Sequence, residues 1–301
     1  MRIGIVTPAF NVAPYIGDTI RSVLKQTHRD WAMVVVDDGS TDDTAHVVRA
    51  FQDPRLKLVC QANAGVSAAR NRGAAALDCD AVLFLDGDDC LAPFALDALA
   101  HALADAPCAA AAVGPYERGG RIYPPASGHM LERLLVRNLF VNGGHIAIRR
   151  AAVQPFREDL RYGEDWEYWV RLASSTGNGF TATRDPRPLL FVRERPSGAY
   201  MRMSTDPASF NPCLNAIHGN PALAALFQPE KRAALRRQAE AEVLWTIGRE
   251  SIRHRRLREG LAWLSRSVAT APTVRRILLL AAIAVLPPRA RGPLYPYDRI
   301  G

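Results

Sequence analysis

Three acidic clusters in this chain have the residue types and spacing to do chemistry. In Val35-Val36-Asp37-Asp38-Gly39-Ser40 a β-branched run ends in paired carboxylates and turns on a glycine. The arrangement recurs in Ala81-Val82-Leu83-Phe84-Leu85-Asp86-Gly87-Asp88-Asp89. Carboxylates at the C-terminal end of a parallel strand stand where open α/β sheets bind their ligands. Two of them one residue apart, as Asp86 and Asp88 are, can direct one oxygen set to a sugar hydroxyl and another to a hard cation. Mg²⁺ or Mn²⁺ takes oxygen ligands and bridges to phosphates rather than sitting in an all-protein cage. The positions after Asp89 are apolar (Leu91, Ala92, Pro93), which excludes an EF-hand. The third cluster, Gly163-Glu164-Asp165-Trp166-Glu167-Tyr168-Trp169, sets a carboxylate pair at a helix start beside two indoles. Capping and the helix dipole account for one carboxylate. A carboxylate shielded by aromatic rings acquires a raised pKa that suits a general base.

Other residues stand close to these in the order of the chain. Thr7-Pro8-Ala9-Phe10-Asn11 ends the first strand, with a proline that stops the ladder and a Phe10 ring that either fills the core or stacks on a base. Asp38, pointing into the cleft, is the candidate for hydrogen bonds to a nucleobase or ribose. Asp43 serves capping and the helix dipole, with Ser40 or Thr41 as N-cap. Asn63-Ala64-Gly65 follows the third strand, and Arg70 lies one turn into the next helix, either facing the acidic cleft or exposed at the surface.

The elements that position these residues alternate over the first hundred positions. Apolar runs predict strands at 3–7, 32–37, 56–60 and 81–85, and helical periodicity predicts helices at 15–26, 42–51, 66–76 and 93–104, the last with Pro93 in its first turn. Such βαβα order implies a doubly wound, mainly parallel sheet. Further on, helices are predicted at 130–140 and 164–174, strands at 144–149 and 189–192, and a polar loop at 193–207. From 229 the pattern is wholly helical, at 230–253, 257–269 and 273–286. The domains expected are thus an α/β unit at 1–207 and a basic, all-helical C-terminal extension at 208–301.

The 301 residues are 48% apolar and 23% charged, which is ordinary for a globular protein with a large core. The net charge of +8 is unevenly spread. From Glu230 onward there are 15 Lys and Arg against 6 Asp and Glu, and the remainder has 23 against 24. A basic tail of this kind suits nucleic acid, an anionic membrane surface or a solvated helical face. Its aromatics beyond Trp245 and Trp263 are confined to Tyr295 and Tyr297 near the end, a sparse interleaving that argues against nucleic acid. The apolar run at 277–286 is about half a membrane span. It reads either as a core helix or as a monotopic contact with anionic lipid, flanked by Arg275, Arg276, Arg289 and Arg291. Five cysteines without CxxC spacing and an opening strand without a long apolar leader lead to the expectation of a reduced, cytoplasmic protein, peripheral on the cytoplasmic face of a membrane if the tail binds lipid.

In order and spacing these motifs closely resemble the family 2 glycosyltransferases of GT-A fold, over roughly residues 1–205. The resemblance implies an inverting, metal-dependent transfer of a sugar from a nucleotide-diphosphate-sugar donor to an acceptor hydroxyl, in cell-surface glycan or lipid-linked saccharide synthesis, with a glycan, lipid-linked or protein acceptor. It implies donor contacts from Pro8, Phe10, Asp38, Asn63, Arg70 and Asp86, Asp88 as ligand of a divalent Mn or Mg, and Asp165 as catalytic base. The segment Asn142-Gly143-Gly144-His145 falls where such enzymes shape the sugar pocket. Many relatives carry an aromatic-Arg-x-His pattern after the last strand. Here Val192-Arg193-Glu194-Arg195 replaces it, and Arg195 could only grip a diphosphate, not a cation. A nucleotidyltransferase would open with a Gly-rich basic loop and a Rossmann dehydrogenase with GxGxxG, and neither follows the first strand. A non-catalytic nucleotide-sugar-binding protein is the other alternative.

Overall fold

The protein is seen in a computed structural model that describes residues 1–126, 130–176, 179–194 and 206–285. Its eleven described strands are β1 (Ile3–Ala9), β2 (Trp31–Asp37), β3 (Leu56–Cys60), β4 (Ala81–Phe84), β5 (Cys90–Leu91), β6 (Ala111–Val113), β7 (Tyr116–Arg118), β8 (Arg121–Tyr123), β9 (Ile146–Arg149), β10 (Phe180–Ala182) and β11 (Leu190–Val192). The described helices are α1 (Ala13–Leu24), α2 (Thr44–Arg49), α3 (Val66–Ala75), α4 (Ala95–Asp105), α5 (Leu131–Val136), α6 (Glu164–Thr176), α7 (Asn211–His218), α8 (Ala222–Leu226), α9 (Pro229–Arg253), α10 (Leu257–Thr270) and α11 (Val274–Val285).

Seven strands form the main sheet in the order β10-β6-β9-β4-β1-β2-β3. Every pairing in it is parallel except those of β9, which runs antiparallel between β4 and β6. The sheet is mainly parallel, as the alternation of elements predicts. β2 and β4 are buried along their whole length, as is β1 apart from a half-buried Pro8. Strands covered on both faces read as unbroken apolar runs, which is why they stand out in the sequence. Ile3, Ile5, Met33, Val35, Leu83 and Leu85 pack on one face with Ile16 and Ile20 of α1 and with Leu96 and Leu99 of α4. Helix α3 lies on the other face. Its buried side is small (Ser67, Ala69, Gly73, Ala74), so its backbone comes close to the sheet and carries Arg70 inward.

That close approach sets up a first prediction. A Cβ on Gly73 would stand 2.4 Å from Cγ1 of the fully buried Val6 and 3.2 Å from Cγ2 of Val36. Gly73→Ala should therefore destabilise by about 1–3 kcal/mol through overpacking, although alanine is the better helix former. The urea midpoint should fall with an unchanged slope. An unaltered midpoint would mean that α3 rides off the sheet at no cost.

A second, four-stranded sheet, β5-β11-β7-β8, contains the strand expected at 189–192, which is β11, but its other three strands were not foreseen. Its strands are only two or three residues long, too short to show a period. Three local expectations are corrected. Pro8 does not stop the strand: it stays in register opposite Val36 on the β2 side, while the β4 side of the ladder already ends at Val6 opposite Phe84. Pro93 precedes α4 instead of sitting in its first turn, and its carbonyl accepts from Thr27 N at 2.8 Å. Neither Ser40 nor Thr41 caps α2, whose flanking Asp43 makes no side-chain cap bond either. Asp42 takes that part, accepting from Thr44 N at 3.0 Å and from Ala13 N at 3.1 Å, so one carboxylate holds the starts of two helices.

The chain forms two compact units. The first contains both sheets. The second comprises Glu132–Arg137 and the described residues from 206 on, so α5 joins the C-terminal helices across a long stretch of sequence. The second unit has its own core of Trp245, Leu264 and Ile283, with Ile252, Leu261, Leu279 and Leu280 against them.

Candidate active site

The strand order runs outward from β1 through β2 to β3, then returns to start again at β4. In open α/β sheets the crevice beyond the carboxyl ends of strands at such a reversal is where ligands bind. The loops after β1, β2 and β4 meet there. Asn11, at a positive φ of 52° that asparagine tolerates, accepts from Thr41 N at 2.8 Å, and its own N–H donates to Ser40 Oγ at 3.0 Å. Val12 N donates to Thr44 Oγ1 at 2.9 Å. These bonds stitch the first two loops together and leave the Phe10 ring 46% exposed, not in the core.

Asp38 is buried and does not present an open carboxylate to the cleft. Its Oδ1 accepts from Gln61 Nε2 (2.7 Å) and Ala64 N (2.9 Å), and its Oδ2 from Gly65 N (2.9 Å). It thus shapes the exposed loop that carries Asn63 and keeps about one acceptor position for a ligand.

Arg70 joins the other two clusters. Although almost wholly buried, its guanidinium donates to Asp86 Oδ1 (3.1 Å) and to Glu164 Oε1 (3.2 Å), and it lies 5.1 Å from the Phe156 ring centre. Burial alone would lower its pKa, but the charges of Asp86, Glu164 and Asp165 outweigh that and raise it. The end of β4 and the start of α6 are therefore held on one cation. Sequence reasoning left Arg70 open between the acidic cleft and the surface; it faces the cleft, with two partners that the sequence had no means of naming.

Asp165 is the second residue of α6, which starts just after Gly163, whose φ of +75° is the left-handed turn that aims the helix. A train of rings anchors the helix: Phe84 meets Phe156 edge-on at 5.0 Å, Phe156 stacks on Tyr168 at 4.1 Å, and Trp169 packs on Phe140 at 5.2 Å. Asp165 keeps partial access to solvent amid dense protein. Its Oδ2 accepts from Asn138 Nδ2 at 2.8 Å and its Oδ1 from Trp166 N at 2.7 Å. Burial, reinforced by the charge of Glu164, pushes its pKa up to about 7 in spite of Arg70 and these donors. Asn138 is the residue that sequence reading missed here, and nothing in its surroundings in the chain marks it.

The loop after β4 is fixed on both sides of Asp88. Asp89 is buried, accepting from Asn142 Nδ2 (2.6 Å) and from Arg193 N (2.9 Å), and Arg193 Nε donates to the Asp88 carbonyl (3.0 Å). Burial, with the charges of Asp86 and Asp88, pushes Asp89 well above the usual carboxylate range. Asn142 Oδ1 also accepts from Gly144 N (2.9 Å), so Asp89 ties the 142–145 segment and the exit of β11 to the acidic loop. His145 is buried against Tyr116 and Phe140, its Nδ1 on the Gly114 carbonyl at 2.7 Å, and burial holds it neutral with a pKa of about 4. Arg195 lies outside the described residues.

Among the described residues no three His, Cys, Asp or Glu side chains cluster as a closed metal cage. The half-buried Asp88, with Asp86 two positions before it, fits a different arrangement. A hard cation there would take its remaining oxygens from a ligand's phosphates and from water, the usual situation of Mg²⁺ beside one or two carboxylates.

Comparison with known proteins agrees with this geometry. The family described as Glycosyl transferase family 2 matches residues 4–159, just over half of the chain. An uncharacterized glycosyltransferase of Nostoc sp. is 41% identical over 99 residues, 32% of this chain and 31% of its own length. The UDP-Glc:alpha-D-GlcNAc-diphosphoundecaprenol beta-1,3-glucosyltransferase WfgD of Escherichia coli is 39% identical over 88 residues, 29% of this chain and 35% of its own. The matches thus span about a third of the length of these curated relatives. Among solved structures, TarS 1-349 of S. aureus in complex with UDP-GlcNAc aligns with a TM-score of 0.63 at 19% identity, covering 94% of this chain and 87% of that one. The mannosyltransferase PcManGT of Pyrobaculum calidifontis, in complex with GDP-Man and Mn²⁺, aligns with a TM-score of 0.57 at 20% identity, covering 97% and 83%. At such identities the likeness is one of fold.

Proposed function

The chain belongs to glycosyl transferase family 2, and from that premise we propose that it transfers a sugar, with inversion, from a nucleotide-diphosphate-sugar to an acceptor hydroxyl. The observation that carries this reading is the gathering of Asp86 and Glu164, with Asp165 beside it, around Arg70 at the reversal point of the sheet.

Asp165 is the base. A carboxyl with a pKa of about 7 is half ionised near neutrality, so it can accept a proton from an attacking hydroxyl as the bond to the anomeric carbon forms. Asn138 and Trp166 N fix its two oxygens, which sets the direction in which the proton arrives. The exposed Phe10 ring and the half-buried Pro8 offer the nucleobase a surface, and the remaining acceptor position of Asp38 and the exposed Asn63 offer it polar contacts. Asp86, oriented by Arg70, faces the ribose or the sugar. Asp88 would hold a divalent cation, Mn²⁺ or Mg²⁺, whose chemistry is to offset the charge of the departing nucleoside diphosphate. Arg195 retains its sequence-based assignment to that diphosphate.

The acceptor we propose is a glycan or lipid-linked saccharide. WfgD is named for a glucosyl transfer onto a diphosphoundecaprenol-linked sugar, and the short match with it is what supports this class here.

Thermal shift against UDP-, GDP-, CMP- and dTDP-sugars, each with and without Mn²⁺, tests the donor. A ligand at 100 times its Kd contributes about 2.7 kcal/mol, which should raise Tm by roughly 5–10 °C. One base should stand out, and more so with Mn²⁺. A protein whose melting none of the nucleotide sugars alters under either condition is not this enzyme.

A further inference from the structure

Helix α11 has two apolar faces on opposite sides. Leu279, Leu280 and Ile283 face the core of the second unit with Trp245 and Leu264. On the same side Arg276 is buried, its guanidinium donating to the Ala271 carbonyl at 2.8 Å and paired with Glu242. That pairing locks the rotation of the helix. Steps of three and four residues then put Val274, Ile277, Leu278, Ala281 and Val285 on the outer face, where Val274 is 75%, Leu278 65% and Val285 84% exposed. A continuous exposed apolar stripe of this kind marks a contact surface.

The charge of the sequence that contains the stripe indicates what it meets. Between Glu259 and Asp298 the sequence has no acidic residue, while Arg266, Arg275, Arg276, Arg289 and Arg291 fall within it. Arg276 is engaged inside by Glu242, whereas Arg275 and Arg266 are exposed. A second copy of the chain docking on the same stripe would bring two cationic rims together. A surface of anionic phosphate over an apolar layer complements both features at once. Among the described residues no helix is long and apolar enough to cross a membrane.

We propose that α11 lies in the interfacial layer of an anionic bilayer, its outer stripe among the acyl chains and its exposed Arg275 at the headgroups. The inference goes beyond sugar transfer and does not depend on it.

Co-sedimentation of the full chain with phosphatidylcholine vesicles, with and without phosphatidylglycerol, at low and high salt, tests it. The full chain should bind the anionic vesicles at least about tenfold more tightly than the neutral ones, with part of the binding surviving high salt because the apolar part is insensitive to it. Ile277→Glu/Leu278→Glu should lose about tenfold of that binding. The exposed Val274→Glu/Val285→Glu pair should lose as much, so a folding defect in one variant leaves the other to decide. Equal binding by wild type and both variants overturns the proposal, as does absence of preference for the anionic vesicles. A dimer that both variants dissociate, with no vesicle binding by the wild type, would reassign the stripe to a contact between copies.

Discussion

Asp165→Asn should lower turnover by about 10²–10⁴-fold while leaving donor affinity almost unchanged. The amide keeps the shape and one acceptor oxygen, for Asn138 or for Trp166 N, and removes the capacity to take a proton along with one accepted hydrogen bond. In the wild type, kcat/KM should fall with unit slope below a pH of about 7, the pKa to which burial and Glu164 push this group. Stability should move the other way. The folded protein holds the Asp165 proton more tightly than the unfolded chain does, starting from an ordinary value of 3.8. Its favourable contribution is therefore complete below pH 4 and is lost as pH rises through about 7. Above that, the ionised buried carboxylate costs up to about 4 kcal/mol, at about 1.36 kcal/mol per unit. The Asn variant should then melt higher than wild type at pH 8 and equally at acid pH. Gain of stability with loss of turnover is the signature of a strained catalytic group, which a merely structural aspartate would not give. If the variant instead loses donor binding and keeps its turnover at saturation, the base lies elsewhere.

The legible parts of this fold share one physical property, which is that their signal is local. β1, β2 and β4 are buried on both faces and so appear as unbroken apolar runs, and α6 appears through the spacing of Trp166, Trp169 and Val170. Apart from β11, the second sheet was invisible because strands of two or three residues owe their existence to partners far along the chain, as Cys90 does to Phe191 and Tyr116 to Leu190. The same distinction divides the site. Asp86, Asp88 and Asp165 announce themselves as carboxylates at a strand end or a helix start. What orients them does not: Arg70 bridges from position 70 to 86 and 164, and Asn138 reaches Asp165 from another loop. The N-cap was misread for a related reason. Ser40 and Thr41 have the right chemistry for a cap, but their polar atoms are engaged with Asn11 across the cleft, and Asp42 caps in their place.

Asp88→Ala should abolish metal-dependent transfer and leave the fold intact. Asp86 is paired with Arg70, and Asp89 is held by Asn142 and the Arg193 N–H, so removing either would disturb the loop as well as the chemistry. Asp88 is half-buried, and the loop around it is held from both sides and by the bond from Arg193 to its carbonyl. Truncating its side chain keeps the backbone that those bonds hold, so the ligand-free variant should still fold and unfold cooperatively, which thermal melting checks. A cation at a departing phosphate is worth several kcal/mol in the transition state. At about 1.36 kcal/mol per tenfold, its loss is roughly 10³-fold in rate. Binding gives the sharper test, because it separates this role from that of Asp165. Mn²⁺ should tighten nucleotide-sugar binding in wild type and in Asp165→Asn, and should have no effect in Asp88→Ala. Metal-stimulated donor binding that survives in Asp88→Ala would move the cation to other ligands, whatever the variant's turnover.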